Sequence, residues 1–173
     1  MADRVTNVDL APNAAPAHFV DHAFERTWTV RRPVGPLWAW LNDPRTFTES
    51  QVWPFRVEFI DDPNIGVSGM QKGVLNIHHG PLLSVHGRVG DVRPPKVDGT
   101  GGYRDLQYGY GSYAISLRLV RPTRLQFWVD HKNDATSTLR VRLDSFVTPT
   151  FERWWDRGQR LFWSRFPKWA VRG

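Results

Sequence analysis

The stretch FERWWDRGQRLFWSRF, Phe151 to Phe166, gathers six aromatic rings and four arginines into sixteen residues. It reads either as a basic aromatic arm for nucleic acid or membrane, or as one wall of an interior. Pro149 stands at its entrance, with Thr148 or Thr150 expected as the cap, and Pro167 is expected to end or kink it. At helical spacing, Phe151, Trp154, Trp155, Gly158, Leu161, Phe162 and Arg165 share one face, and Arg153, Arg157, Arg160 and Lys168 lie on the other. If the helix closes a sheet, the aromatics turn inward and the cations stay in water. That is the expected arrangement, and it depends on what precedes the helix.

What precedes it alternates. Phe24 to Arg31 has the period and the β-branched and aromatic content of a strand. Val34, Leu37, Trp38 and Leu41 then predict a helix that breaks at Asn42-Asp43-Pro44, and PRTFTES predicts a second short one. Strands are expected over Val52–Ile60, Met70–His78, Leu82–Val92, Tyr103–Tyr110, Tyr113–Val120, Leu125–His131 and Thr138–Val147, joined by Gly, Pro and Asn-Asp turns, with a long loop over Pro94–Gly102. Consecutive strands with such connections argue for one antiparallel meander. Residues 1–20, rich in Ala, Pro and Asn near the start, read as a flexible leader, and 21–173 as one domain.

Composition narrows the function. The net charge of +6 raises the prior for an anionic partner, but the surplus is concentrated at the end. Six basic residues stand there against Glu152 and Asp156, from Thr150 to Gly173. The chain has no cysteine, which removes disulfides, thiolate metal sites and a cysteine nucleophile. Asp3 and Asp9 interrupt any signal-like run, so a cytoplasmic protein is expected. Nine tryptophans in 173 residues point to a wide aromatic interior.

The order of strand, two short helices, antiparallel strands and an amphipathic last helix resembles the START-like, Bet v 1-related (SRPBCC) superfamily, which includes proteins of polyketide cyclase/dehydrase type. FERTWTVRRPVGPLWAWLNDPRTFT resembles its opening strand and helices, RPTRLQFWVDHKNDATSTLRVRLDSF its late hairpin, and TPTFERWWDRGQRLFW its last helix. The likeness spans Phe24 to Trp169, and the sequence departs from the pattern over Met70–Tyr110. It implies an α+β helix-grip fold: a curved antiparallel sheet of about seven strands wrapped around a long C-terminal helix, with a cavity between them for an apolar ligand.

Strand parity then nominates side chains. Leu125, Phe127, Val129 and His131 share one parity; Leu75, Ile77 and His79 share another; Leu106, Tyr108 and Tyr110 share a third. With the apolar parity inward, His79, His131, Tyr108 and Tyr110 bring polar tips to an apolar interior. The expected ligand-contacting residues are Tyr108, Tyr110, Leu117, Phe127, His131, Phe151, Trp154, Trp155, Phe162 and Arg165, the last facing an acidic group. Were the protein an enzyme, His131, His79 and Tyr108 would be the acid/base groups. Each also has a plainer reading: a strand-end histidine bonded to backbone or water, tyrosines as core, an arginine snorkelling to solvent. His78 and His79 point to opposite faces and do not share a metal, and His86 falls with Ser84 and Arg88 on the outer parity. Neither metal nor cofactor is expected.

Three functions compete. The first is binding or carriage of a hydrophobic small molecule such as a lipid, polyketide or aromatic compound. The second is a cyclase or dehydratase using the same pocket. The third is a peripheral module whose basic helix face meets an anionic membrane or partner; weak contact of that kind is expected as a secondary property, and specific nucleic-acid binding is not.

Overall fold

A computed structural model of the chain describes residues 15–49, 55–64, 66–80, 83–109 and 116–172. Its elements are β1 (Val20–Val30), α1 (Val34–Leu41), α2 (Pro44–Glu49), β2 (Arg56–Ile60), β3 (Leu75–Gly80), β4 (Leu83–Arg93), β5 (Gly102–Tyr108), α3 (Ser116–Leu119), β6 (Val120–Asn133), β7 (Thr136–Val147), α4 (Glu152–Trp163) and α5 (Phe166–Arg172). The seven strands form one antiparallel sheet in the order β1-β7-β6-β5-β4-β3-β2. From β2 to β7 each strand pairs with its successor, and β1 closes against β7. This is the expected α+β helix-grip architecture: a curved sheet, two short helices after the first strand, and helix again at the end.

Alternation explains which face is covered. Along β7, Ser137, Leu139, Val141, Leu143, Ser145 and Val147 are buried while the residues between them are half-exposed. The same parity carries Phe24 and Val30 on β1 and Leu125, Phe127 and Val129 on β6. The helices cover this inner face with Leu37 and Leu41 from α1, Trp163 from α4, and Phe166 and Ala170 from α5. Burying a side chain of this size contributes about 2 kcal/mol. Polar contacts fix the helix at its far end: Arg32 Nη1 donates to Ala170 O at 3.0 Å, and Ser137 Oγ to Arg32 O at 2.7 Å.

Three expectations need correction. First, Leu119 ends a helical turn and β6 begins at Val120, so 116–119 is not strand; residues 110–115 lie outside the described ones. Nor do Pro122 and Thr123 form a turn. β6 runs through them with a shift of register between Pro122 and Arg124, a bulge that spares proline the missing donor.

Second, β3 faces the other way. Asn76 and His78, not Leu75, Ile77 and His79, share the inner face, because Asn76 pairs with Gly87 and His78 with Val85. A strand near the sheet's end inherits its facing from its neighbour's register. Val74, fully buried two residues before Asn76, lies on the same parity.

Third, the last helix is rotated from its expected face and divided. Trp154, Leu161 and Phe162 are 65%, 67% and 46% exposed, and Arg165 is exposed. The face toward the sheet carries Phe151, Trp155, Gln159 and Trp163, then Phe166 and Ala170 of α5. The apolar residues of α4 spread over about half its circumference, so spacing alone did not fix which part of that arc meets the sheet. Trp163 decides it: the ring packs on Phe127 and Phe166 at 6.0 and 4.9 Å while its Nε1 donates to Gln159 Oε1 at 3.0 Å. Neither threonine caps α4 through its side chain; the backbone carbonyl of Thr148 instead accepts from Phe151 N and Glu152 N.

Candidate functional site on the inner face

The inner face of β3, β4 and β5 holds polar side chains that a sheet interior ordinarily excludes. Gly87 creates the room for one pair. A Cβ at that position would lie 2.9 Å from Tyr108 Cδ1, so the tyrosine ring rests across β4 where the side chain is missing. Its hydroxyl thereby reaches over to β3 and lies 3.2 Å from His78 Nε2, the two rings meeting edge-on at 5.4 Å. Burial, with a smaller contribution from neighbouring His79, brings the His78 pKa down to about 4. At neutral pH the imidazole is uncharged, and its Nε2 and the tyrosine hydroxyl share one hydrogen bond. Burial pushes the Tyr108 phenol well up from its ordinary value.

Asn76, in register with Gly87 and hence in the row of Tyr108, is fully buried. Neither its Oδ1 nor its Nδ2 has a hydrogen-bond partner. Two inward positions further along β5, past Leu106, lies Arg104, which is also fully buried. Its guanidinium lies against two rings that meet edge-to-face, 4.8 Å from the centroid of Phe47 on α2 and 4.6 Å from that of Phe127 on β6. Nη1 lies 3.9 Å from Met70 Sδ, while Nε and Nη2 have no partner. Desolvation lowers the arginine's pKa to about 9, which leaves it charged at neutral pH. Sequence reasoning passed over both residues, although Arg104 shares the parity of Leu106 and Tyr108: a charge on an apolar parity was the available signal.

The nominated residues divide. Tyr108 and Phe127 are inward and buried, and Phe151 and Trp155 are half-buried on the sheet side of α4, Trp155 with an enclosed, unpartnered Nε1. Trp154, Phe162 and Arg165 do not face the interior. His131 continues the inward parity but stands at the strand end, exposed, with its backbone N bonded to Gly99 O at 2.9 Å. Gly99 has φ 78°, and a Cβ there would meet His131 Cβ at 2.8 Å, so the loop closes over that end of β6 only with glycine. His79 faces outward, 3.3 Å from Glu58 Oε1. Leu117 falls in α3, and Tyr110 lies outside the described residues.

No protein-family model matches the sequence, and no curated protein does. Solved structures match through the fold. Norcoclaurine synthase from Thalictrum flavum, solved in complex with dopamine and hydroxybenzaldehyde, superposes with a TM-score of 0.61 at 10% identity, over 90% of this chain and 87% of that one. A START superfamily protein from Mycobacterium smegmatis gives 0.58 at 11% identity, over 87% and 94%. An aromatase/cyclase from a Streptomyces species gives 0.53 at 17% identity, over 75% and 69%. The resemblance to START-like and Bet v 1-related proteins therefore holds at the level of the fold.

Proposed function

We propose that this protein binds a hydrophobic small molecule, a lipid, polyketide or aromatic compound, on the inner face of its sheet. One observation carries the reading: a fully buried amide, Asn76, has neither of its polar atoms partnered in an aromatic interior. An unpaired buried polar group costs about 1–3 kcal/mol, so such groups persist where something other than the chain's own folding uses them. The structural neighbours, among them an enzyme solved with two aromatic compounds, support a ligand of this class.

Binding ranks above catalysis for a reason of chemistry. General acid/base work at neutral pH needs a group that titrates nearby. The His78–Tyr108 couple holds its two members away from that range in opposite directions, so both stay neutral and orient a ligand by hydrogen bonding. Tyr108 remains the residue on which a cyclase-type activity would depend; His131 and His79 do not reach this interior.

Native mass spectrometry of the purified protein beside its denatured spectrum tests the reading. A bound organic mass, or quenching of tryptophan fluorescence by a panel of apolar compounds, is expected. A bare chain that responds to none of them would contradict it.

A second reading rests on the outward rings of α4. Trp154 and Leu161 are about two-thirds exposed. Arg153 and Arg157 lie beside them, and the Arg157 guanidinium sits 5.6 Å from the Trp154 ring. Cations interleaved with exposed apolar side chains suit shallow contact with an anionic bilayer. We hold this as a secondary property of the same protein.

A further inference from the structure

We infer that the ligand of the inner face carries a carboxylate and that Arg104 receives it through its Nε and Nη2 edge. The inference rests on the binding reading above and assigns the chemistry of one end of the ligand. Arginine presents its donors as forks, and Nε with Nη2 forms the side-on fork, whose two parallel N–H bonds match the two oxygens of a carboxylate. That edge is the one left unpartnered, while Nη1 is directed at the Met70 sulfur. The rings of Phe47 and Phe127, themselves edge-to-face with centroids 6.2 Å apart, form a corner in which the guanidinium sits. The cation is thus desolvated, with one edge left without an acceptor.

Among the described residues no acid bonds it, and Asp105 adds only a Coulombic attraction that desolvation outweighs. Asp105, the adjacent residue, points to the opposite face of the sheet and accepts from Arg124 and from Asp91 N there. Arg104 is fully buried among apolar side chains, Met70, Phe47 and Phe127. A buried charge without a counter-charge is costly, and a planar anion brought by a ligand with an apolar body supplies both the missing charge and the missing acceptors. Asn76 and the Tyr108–His78 couple lie further along the same face, toward β3, where the rest of such a ligand finds polar groups to orient it.

The test uses the neutral fluorophore N-phenylnaphthylamine as reporter and decanoate and decanol as a matched pair of competitors, one with the acid and one without. Decanoate is expected to displace the reporter about tenfold or more better than decanol, the ratio that hydrogen bonds to a charged group support. R104M is expected to abolish the preference while the reporter still binds. R104K, which keeps a positive charge but loses the fork, is expected to lose most of it, and either variant suffices if the other fails to fold. Equal displacement by the two competitors, or a preference unchanged in the variants, would overturn the carboxylate assignment and leave the binding reading standing. Failure of the wild-type protein to bind the reporter or either competitor would overturn both.

Discussion

Arg104 and Asp105 are neighbours in β5, both fully buried, and they face opposite sides of one sheet. On the outer side Asp105 accepts from Arg124 Nε and from Asp91 N at 2.7 Å, the latter turned toward it where the β4–β5 register shifts between Val89 and Val92. The pattern extends across the strands. Arg124 Nη2 donates to Tyr103 Oη at 3.0 Å, Gln126 Nε2 to Asp144 Oδ2 at 2.9 Å, and Arg142 Nε to Asp144 Oδ1 at 2.8 Å. The Arg140 and Arg93 guanidinium groups cover Trp128 and Tyr103. On the inner side Arg104 and Asn76 keep unpartnered atoms. The outer face uses its polar groups to hold strands together; the inner face leaves those of Arg104 and Asn76 unused by the fold. That contrast separates stability from function within a single residue step.

The comparison breaks most sharply at Asp105. Asp105→Ala strands the Asp91 N–H and removes the partner of Arg124, and should destabilise by about 3 kcal/mol in chemical denaturation. A loss of a few tenths would show the outer network to be ornamental.

Next comes acid. His78 has a native pKa of about 4 against an ordinary 6.5. Between those values the unfolded chain binds a proton that the folded one refuses, so stability falls as pH drops from 6.5 toward 4. The slope reaches about 1.4 kcal/mol per pH unit, and the total is on the order of 3 kcal/mol. In His78→Gln that part of the acid dependence should vanish. An unchanged pH profile would mean that the imidazole is not enclosed as described.

Arg104→Met should do the reverse of Asp105→Ala and raise the ligand-free protein's stability by about 2 kcal/mol, since an apolar side chain of similar length replaces a buried charge whose desolvation outweighs the attraction of Asp105. Destabilisation would show that the guanidinium serves the fold. The smallest effect belongs to the helix. Trp154→Glu with Leu161→Glu should leave stability within about 0.5 kcal/mol yet weaken sedimentation with phosphatidylglycerol vesicles about tenfold. Equal sedimentation of wild type and variant would remove the membrane reading.

The strands and their order were legible because alternation over β7 and β6 is long and regular, and turn residues mark the hairpins. Facing was legible only where many apolar residues voted together. On β3 two of them, Leu75 and Ile77, outvoted a register that Gly87 and Val85 actually set. On α4 the aromatics form a broad arc, so its inward face depends on Trp163 finding Phe127, a contact that no local pattern encodes. Tyr108 was found because its parity is apolar. Arg104 was missed because a charge in a strand is ordinarily read as solvent-facing, and only tertiary cover from Phe47 makes it interior. His78 was set aside for His79 by the same one-residue error of parity.

The most direct measurement is an experimental structure of the protein with decanoate. The expected result is the carboxylate on the Nε and Nη2 edge of Arg104, with the alkyl chain among the aromatic side chains of the inner face. Ordered water or a protein acceptor filling that edge, with decanoate elsewhere or absent, would contradict the account.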